Sequence, residues 1–480
     1  VSEPSGNQAP RTPRLAANYA LLSIGELLAK VLGLVAFAYL ARVLGPRHYG
    51  YLEFAIALDF LFALVVDLGL SAFVAREIAK DRRAAARFAA HLVVVRLLLA
   101  AAAFALMVLF ASVSGQPPVV RHLIILYGLT LFGLPGLLQG VFQGLDRMRY
   151  VALASMLRWT VFAACALLLV RGPEQLTLVP LAEGCALGIL AAFYLWSVSR
   201  SVGSLRQPID WSFAVRMLRQ ALPMGASDMV WAIRVYFATV LLGLLLGGSQ
   251  VAWFAAAHRI VISLHTFVWL YFFNLLASLA RCTQGPTQEL ERLVGKSMQV
   301  TGWAALFIGI AGTALAGPLM TMLYGARYHA SIAVFQVLIW LLPLSLLEGH
   351  YHWVLIAYGK QRLDLFCNAC GAALSILLSV VLVPVYGPIS AAWALVVSEV
   401  LNWALAYHLT RRSVAHLPLW PHLKRPLLAG AALAVTMVLL RASSVWVVGS
   451  AALAVYAVAL WLLQPDLIMD IRSLLTRSRS

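Results

Sequence analysis

The chain has 480 residues, of which 62% are hydrophobic and only 11% charged, and its mean hydropathy is +0.87. That is more apolar surface than a soluble core of this length can bury, so a soluble globular class is excluded and an all-α polytopic membrane protein is expected. The net charge of +17 points to anionic lipid headgroups and to topology, not to nucleic acid, because no basic, aromatic-rich soluble segment stands apart from the apolar stretches.

A span needs about 20 apolar residues to cross roughly 30 Å of hydrocarbon, and helices satisfy their own backbone there. After a cytoplasmic tail at 1–14, about fourteen such transmembrane helices follow. The first, 15–42, carries Glu26 and Lys30 one turn apart, a spacing that suits either a neutralising pair or a ligand role. It does not read as a cleavable signal, for it lacks a short apolar core ending in a small-residue cleavage site. The second, 49–75, holds Asp59 and Asp67. The third, 88–113, and the fifth, 150–170, hold Arg96 and Arg158 about two turns from the cytoplasmic side, where both are expected to snorkel. In the fourth, 119–144, Gly136, Gly140 and Gly144 form a continuous small-residue ridge that predicts close helix packing. The sixth, 176–199, contains Glu183.

A linker at 201–213 follows, with Gly203, Pro208, Asp210 and Trp211, and reads as an interfacial cytoplasmic connector. The seventh helix, 214–247, carries Asp228 and Arg234, which fall on different faces unless Pro223 and Gly225 bend it. The eighth, 250–280, carries Arg259 together with His258 and His265, close to one face over two turns and able to titrate. Helices at 293–316 and 330–357 come next, the latter with Glu348, His350 and His352, whose HxH spacing turns the rings apart and argues against a metal. The eleventh and twelfth, 363–386 and 389–410, follow, the twelfth with Glu399. The last pair, 425–440 and 445–463, precedes a basic cytoplasmic tail at 465–480.

Of the 36 lysines and arginines, most fall in alternate loops, among them Arg82, Arg83, Arg147, Arg149, Arg411 and Arg412. The opposite loops hold only Arg42, Arg47, Arg121, Arg171, Arg327 and Arg441. Under the positive-inside rule this sets both termini on the cytoplasmic side of the membrane. Lys30, Arg96, Arg158, Arg234 and Arg259 are left within the bilayer. The five cysteines offer no disulfide framework, and the Cys367–Cys370 CxxC, lacking further ligands, reads as packing rather than as a metal site.

The chain also repeats itself. Glu26 aligns with Asp228 and Gly45 with Gly247; further on Arg87 aligns with Arg292, Leu137-Leu138-Gln139-Gly140 with Leu346-Leu347-Glu348-Gly349, Arg147-Met148-Arg149 with Lys360-Gln361-Arg362, and Glu183 with Glu399. The offset only grows along the chain, as it would after a duplication that gained a few residues per element. Six helices per copy is an even number, so the expected fold is two six-helix lobes, 15–200 and 214–412, as a parallel repeat, plus two C-terminal helices at 425–464. Both copies retain intramembrane charges that cost roughly 2.5–3.5 kcal/mol each at a helix centre, which marks a polar pathway.

The run Leu40-Ala41-Arg42-Val43-Leu44-Gly45-Pro46 with Tyr49-Gly50, then Asp67-Leu68-Gly69-Leu70 and Arg76-Glu77-Ile78, resembles the opening of the O-antigen and polysaccharide (Wzx-type) flippases. Leu323-Tyr324-Gly325, Ala357-Tyr358-Gly359-Lys360 and Val383-Pro384-Val385-Tyr386-Gly387 resemble that family's C-terminal lobe. The resemblance implies the multidrug/oligosaccharidyl-lipid/polysaccharide (MOP) exporter superfamily and a flippase that moves a polyprenyl-pyrophosphate-linked oligosaccharide by rocking of two lobes. Lipid II flippases also carry the extra helix pair, so a lipid II flippase and an ion-coupled multidrug exporter stand as alternatives within the superfamily. A membrane glycan polymerase or ligase is the rival from another class, disfavoured because every extracytoplasmic loop is short. On this resemblance Lys30, Arg234 and Arg259 are the pyrophosphate candidates, arginine forks suiting phosphate oxygens, and Glu26, Asp59, Asp228, His258, His265 and Glu399 are candidate coupling or cavity groups. No catalytic residue, metal or cofactor is expected. The partners expected are the lipid-linked oligosaccharide, membrane lipids, a proton or sodium ion and polysaccharide polymerase machinery, but no nucleic acid; without a Walker A motif the energy comes from gradients or product consumption.

Overall fold

The computed structural model describes residues 12–440 and 445–464, with side chains at 28–440 and 446–464. The side chain of Glu26, most of the N-terminal tail, Arg441 and the basic tail lie outside the described residues. The protein is all-α: α1 (Thr12–Asp67), α2 (Leu70–Lys80), α3 (Ala85–Val113), α4 (Pro118–Thr130), α5 (Gln139–Gly144), α6 (Met148–Leu169), α7 (Leu178–Ser201), α8 (Trp211–Leu245), α9 (Gly248–Cys282), α10 (Thr287–Ala314), α11 (Ala316–Tyr324), α12 (Ser331–Leu338), α13 (Leu341–Ala357), α14 (Gln361–Tyr386), α15 (Pro388–Ser413), α16 (Trp420–Leu439) and α17 (Val445–Leu463). Among the described residues thirteen segments are long and apolar enough to cross a membrane. The first of them, Leu28–Lys80, runs 53 residues, about 80 Å at 1.5 Å per residue, which is enough for two crossings. It bends at Gly45, whose φ of 69° and ψ of 168° leave the helical region just before Pro46.

Several predicted helices are continuous in sequence pattern but broken in space. The second ends at Asp67, and Leu68 (φ 40°) and Gly69 (φ 75°) turn the chain before α2. The fourth is split by a 3-10 turn at Leu131–Gly136 containing Pro135, which cannot donate a helical hydrogen bond. The tenth is divided into α12 and α13 at Ile339 and Trp340. By contrast α8 continues through Pro223, so the bend that could have brought Asp228 and Arg234 together does not break the helix, and their spacing of six leaves them on different faces.

The chain divides into two compact units, Val1–Ala232 and Ile233–Ser480. In the first, α1 lies along α6, α3 and α4, and α2 packs on α5. The expected glycine ridge does bring backbones together, but the break in the fourth helix splits it: a Cβ on Gly136 would meet Ala191 of α7, whereas one on Gly140 or Gly144 would run into Ser71 O or Ala75 O of α2. Gly140→Leu is therefore expected to destabilise the protein by about 1–3 kcal/mol through overpacking, read as a lower melting temperature in detergent, while leucine at Gly188, which has open space around it, should leave the melt unchanged.

At the start of α8 the linker is tied down by polar contacts. His91 donates from Nδ1 to Arg87 O (2.7 Å) and accepts the Asp210 N–H on Nε2 (3.0 Å), and Arg87 pairs with Asp210 at 3.0 Å. The Asp210 carboxylate accepts from Ser212 Oγ and the Phe213 N–H, and these bonds, Ser212 first, hold it down at about 2. A depressed carboxylate contributes above its unfolded pKa and loses its effect only as pH falls toward 2, so this helix cap is complete throughout the physiological range.

In the second unit α14 pairs with α15, and α13 packs on α9, α10 and α15. The two appended helices dock on α10: Trp303 Nε1 donates to Gln464 Oε1 (2.6 Å), Tyr456 OH to Trp303 O (2.7 Å), and Gln464 Nε2 to Gln299 Oε1 (3.0 Å). Tyr456 also stands edge-on to Trp303 at 5.2 Å. All five cysteines are free thiols.

Candidate functional site

Each unit buries its own network of charges. In the first, Arg96 of α3 is only 3% exposed. It does not snorkel. Its guanidinium donates to Asp67 and Ser71 Oγ beyond the end of α1 and to Leu137 O (2.8 Å) at the break of the fourth helix. A fixed acceptor set inside the protein outcompetes the route to the interface, because leaving Asp67 and the Leu137 carbonyl unpaired in a low-dielectric interior costs more than shielding the arginine. The second expected snorkeller, Arg158, pairs with Glu183 of α7. Asp59 sits beside this pair and accepts from Thr130 Oγ1 at 3.3 Å. Lys30 is half-buried on α1, and Asp228 is exposed on α8.

In the second unit the centre is Arg234 of α8, whose Nη1 lies 2.8 Å from Glu399 of α15, with side chains 14% and 7% exposed. Ser345 Oγ donates to the other Glu399 oxygen at 2.9 Å. The Asn402 amide, oriented so that both its groups are satisfied, accepts from Arg234 (3.2 Å) and donates to Cys367 O (3.2 Å). His265 of α9 faces the same ion pair. Next to it on α13, His352 Nδ1 lies 2.5 Å from Asp364 and 3.9 Å from Glu348. The structure thus gathers Arg234, Glu399 and His265 from the sequence candidates, brings in Glu348 and His352 of the polar patch read on the tenth helix, and adds Ser345, Asn402 and Asp364.

Other candidates fall elsewhere. His258 is buried and stacks on Phe254 at 5.1 Å with Tyr236 edge-on at 6.2 Å, an aromatic core position separate from that of His265. Arg259 is half-buried on α9. His350 accepts or donates with Ser297 at 2.8 Å and meets Phe272 edge-on, so the two rings of the HxH pair do face different helices. Among the described residues no group of three His, Cys, Asp or Glu is arranged to hold a metal ion. Asp364 carries a signal that the sequence offered, a carboxylate in the first turn of an apolar helix; Ser345, Thr130 and Asn402 carry none.

The polysaccharide biosynthesis protein family matches residues 15–273. A Shigella dysenteriae protein named as an O-antigen transporter is 23% identical over 376 residues, 76% of this chain and 91% of its own. In fold, the chain resembles the lipid II flippase MurJ in an inward closed conformation (TM-score 0.78, 11% identity, 94% of this chain and 100% of that one). It also resembles an inward-facing multidrug resistance MATE transporter of the MOP superfamily (0.57, 16%, 82% and 93%) and a MOP superfamily transporter from Pyrococcus furiosus (0.59, 16%, 82% and 95%). With more than half of its length matched, the chain belongs to the polysaccharide biosynthesis protein family.

Proposed function

We propose that this protein is a flippase that carries a polyprenyl-pyrophosphate-linked saccharide from the inner to the outer leaflet of the bacterial cytoplasmic membrane by alternating access. The observation that carries the reading is the fold likeness to a lipid II flippase over 94% of this chain and all of that one. That likeness favours the lipid II branch, held as an alternative on sequence alone, over an oligosaccharide-specific cargo. The weaker likeness to drug exporters supports that branch less. Lipid II and an O-antigen precursor share the pyrophosphate, so the shared chemistry is an anionic, lipid-anchored saccharide.

Two six-helix lobes of like orientation are part of the proposal. Its support is backbone detail at positions the sequence repeat equates. Gly247 takes φ 85° and ψ −176°, close to the Gly45 values. Asp146 (φ 59°) and Gly359 (φ 69°) both end a helix in the left-handed region, followed by the same closing bond, Arg147 N–H to Phe142 O and Lys360 N–H to Leu355 O, each 2.8 Å. The loop charges support a topology with both termini in the cytoplasm, which is part of the same proposal. Lys30 and Arg259 are assigned to the pyrophosphate, and Arg234 to the same task or to holding Glu399. Asp59, His265 and Glu399 are the coupling candidates best supported by their surroundings; Glu26, Asp228 and His258 rest on sequence.

The test is translocation in proteoliposomes holding the full chain, with fluorescent lipid II in one set and a polyprenyl-pyrophosphate oligosaccharide in another. Protection of the probe from an external reductant should be lost faster than in protein-free liposomes. Transport of neither probe, by protein that is folded by its melt, overturns the reading; transport of one alone assigns the cargo.

A further inference from the structure

We propose that Glu348, His352 and Asp364 form a proton-binding site in the second unit, the site at which transport is coupled to a proton gradient; the coupling role rests on the transport reading above, the binding site does not. His352 Nδ1 on α13 lies 2.5 Å from Asp364 and 3.9 Å from Glu348. Glu348 is 8% exposed, and Asn368 Nδ2 donates to the second Asp364 oxygen at 3.3 Å.

Charge balance explains why this cluster takes up a cation. The groups facing it are Arg234 from α8, His265 from α9, Glu399 from α15 and the Cys367 thiol from α14. The Arg234 guanidinium is already matched by Glu399 at 2.8 Å. With His352 neutral, Glu348 and Asp364 therefore carry two negative charges that no fixed cation in the cluster balances. Like charges a few ångströms apart in a poorly screened interior repel by several kcal/mol, so the cluster gains by taking up a positive charge. One ring nitrogen of His352, Nδ1, is turned to both carboxylates and can carry the charge, while among the described residues no group of three His, Cys, Asp or Glu is arranged to hold a metal ion. The ion is thus a proton, held on His352 and shared with Asp364. Position adds a route: Asp364 is in the first turn of α14, just after the Lys360 turn that the loop charges assign to the cytoplasmic side, so the proton has a short path to one face of the membrane.

The neighbouring Trp353 makes the site readable, because its ring stands edge-on to His352 at 5.4 Å and an imidazolium quenches indole emission. In the full-length protein in lipid nanodiscs, the emission difference between wild type and Trp353→Phe is expected to titrate as a single protonation step. Asp364→Asn is expected to weaken that proton binding about tenfold, since one unit of pH corresponds to a factor of ten, and His352→Gln to abolish the step. A wild type without a step, or a step that Asp364→Asn leaves in place, overturns the site. Replacing choline chloride by sodium chloride should not move the step; displacement by sodium overturns the proton assignment. In proteoliposomes with fluorescent lipid II, an imposed pH gradient should change the wild-type rate, and His352→Gln should remove that dependence. Indifference of an active wild type to the gradient overturns the coupling role. A wild type that moves no lipid probe but retains the titration overturns the transport reading and leaves the proton site standing.

Discussion

Arg234→Leu is expected to lower the melting temperature and membrane yield of this protein, and Gly371→Arg in the same chain to restore both. Removing the guanidinium leaves Glu399, 5% exposed, with Ser345 as a donor but no cation, and an uncompensated buried charge costs about 3–5 kcal/mol. The rescue follows from the first unit. In the proposed repeat Glu183 is the counterpart of Glu399, yet its arginine, Arg158, comes from α6 and not from the helix that the repeat would equate with α8. Counting from Met148 and Gln361, the starts of α6 and α14, the position of Arg158 falls on Gly371. A Cβ there would stand 3.4 Å from Ser398 O, 3.5 Å from Asn402 Cβ and 3.7 Å from Arg234 Nη1, ordinary contacts, with the present guanidinium occupying the space the new one would enter. A double variant as unstable as Arg234→Leu alone refutes the equivalence. The same pair separates the two roles proposed for Arg234. If it only balances Glu399, the double variant regains transport along with stability; if it grips the pyrophosphate, stability returns and transport does not.

Arg96→Met is expected to be the most damaging single change in the first unit, again by about 3–5 kcal/mol. The methionine fills much of the volume but leaves Asp67, Ser71 and Leu137 O without their shared donor. These acceptors sit at two helix breaks, one at Leu68 and Gly69 and one after Pro135, so the guanidinium clasps two irregular segments that lipid would otherwise penalise. Hydrogen exchange should therefore accelerate at amides 68–71 and 137–141 before it does so within α6 or α7. Asp67→Leu combined with Arg96→Met should recover part of the lost stability, because it removes the stranded charge. Uniform exchange across the unit, or a double variant worse than the sum of its parts, would show that Arg96 contributes packing alone.

The Gly136, Gly140 and Gly144 series shows how far sequence pattern reaches. The spacing correctly indicated close backbone approach, but a continuous helix would have turned all three to one neighbour. Pro135 was the visible warning, and its consequence, two glycines against α2 and one against α7, depends on how far the 3-10 turn rotates the following helix. Arg96 and Arg158 illustrate the same limit for charge. Depth along a helix can be read from sequence, and depth alone argues for snorkelling, but a partner on another helix reverses the outcome. Arg234 and Glu399 are separated by 165 residues, and nothing local to either announces the other.

Composition and hydropathy determined the class, the approximate number and limits of the spans, and the residues that are charged within the bilayer, because hydrocarbon forces each crossing to be a self-satisfied apolar helix and so writes the membrane into the chain. Tertiary structure alone decided where those helices break, which charges neutralise one another, and that His352 rather than His258 stands among carboxylates. Those outcomes turn on angstrom-scale proximity between helices distant in sequence, and in a low-dielectric interior that proximity settles whether a charge is matched or stranded.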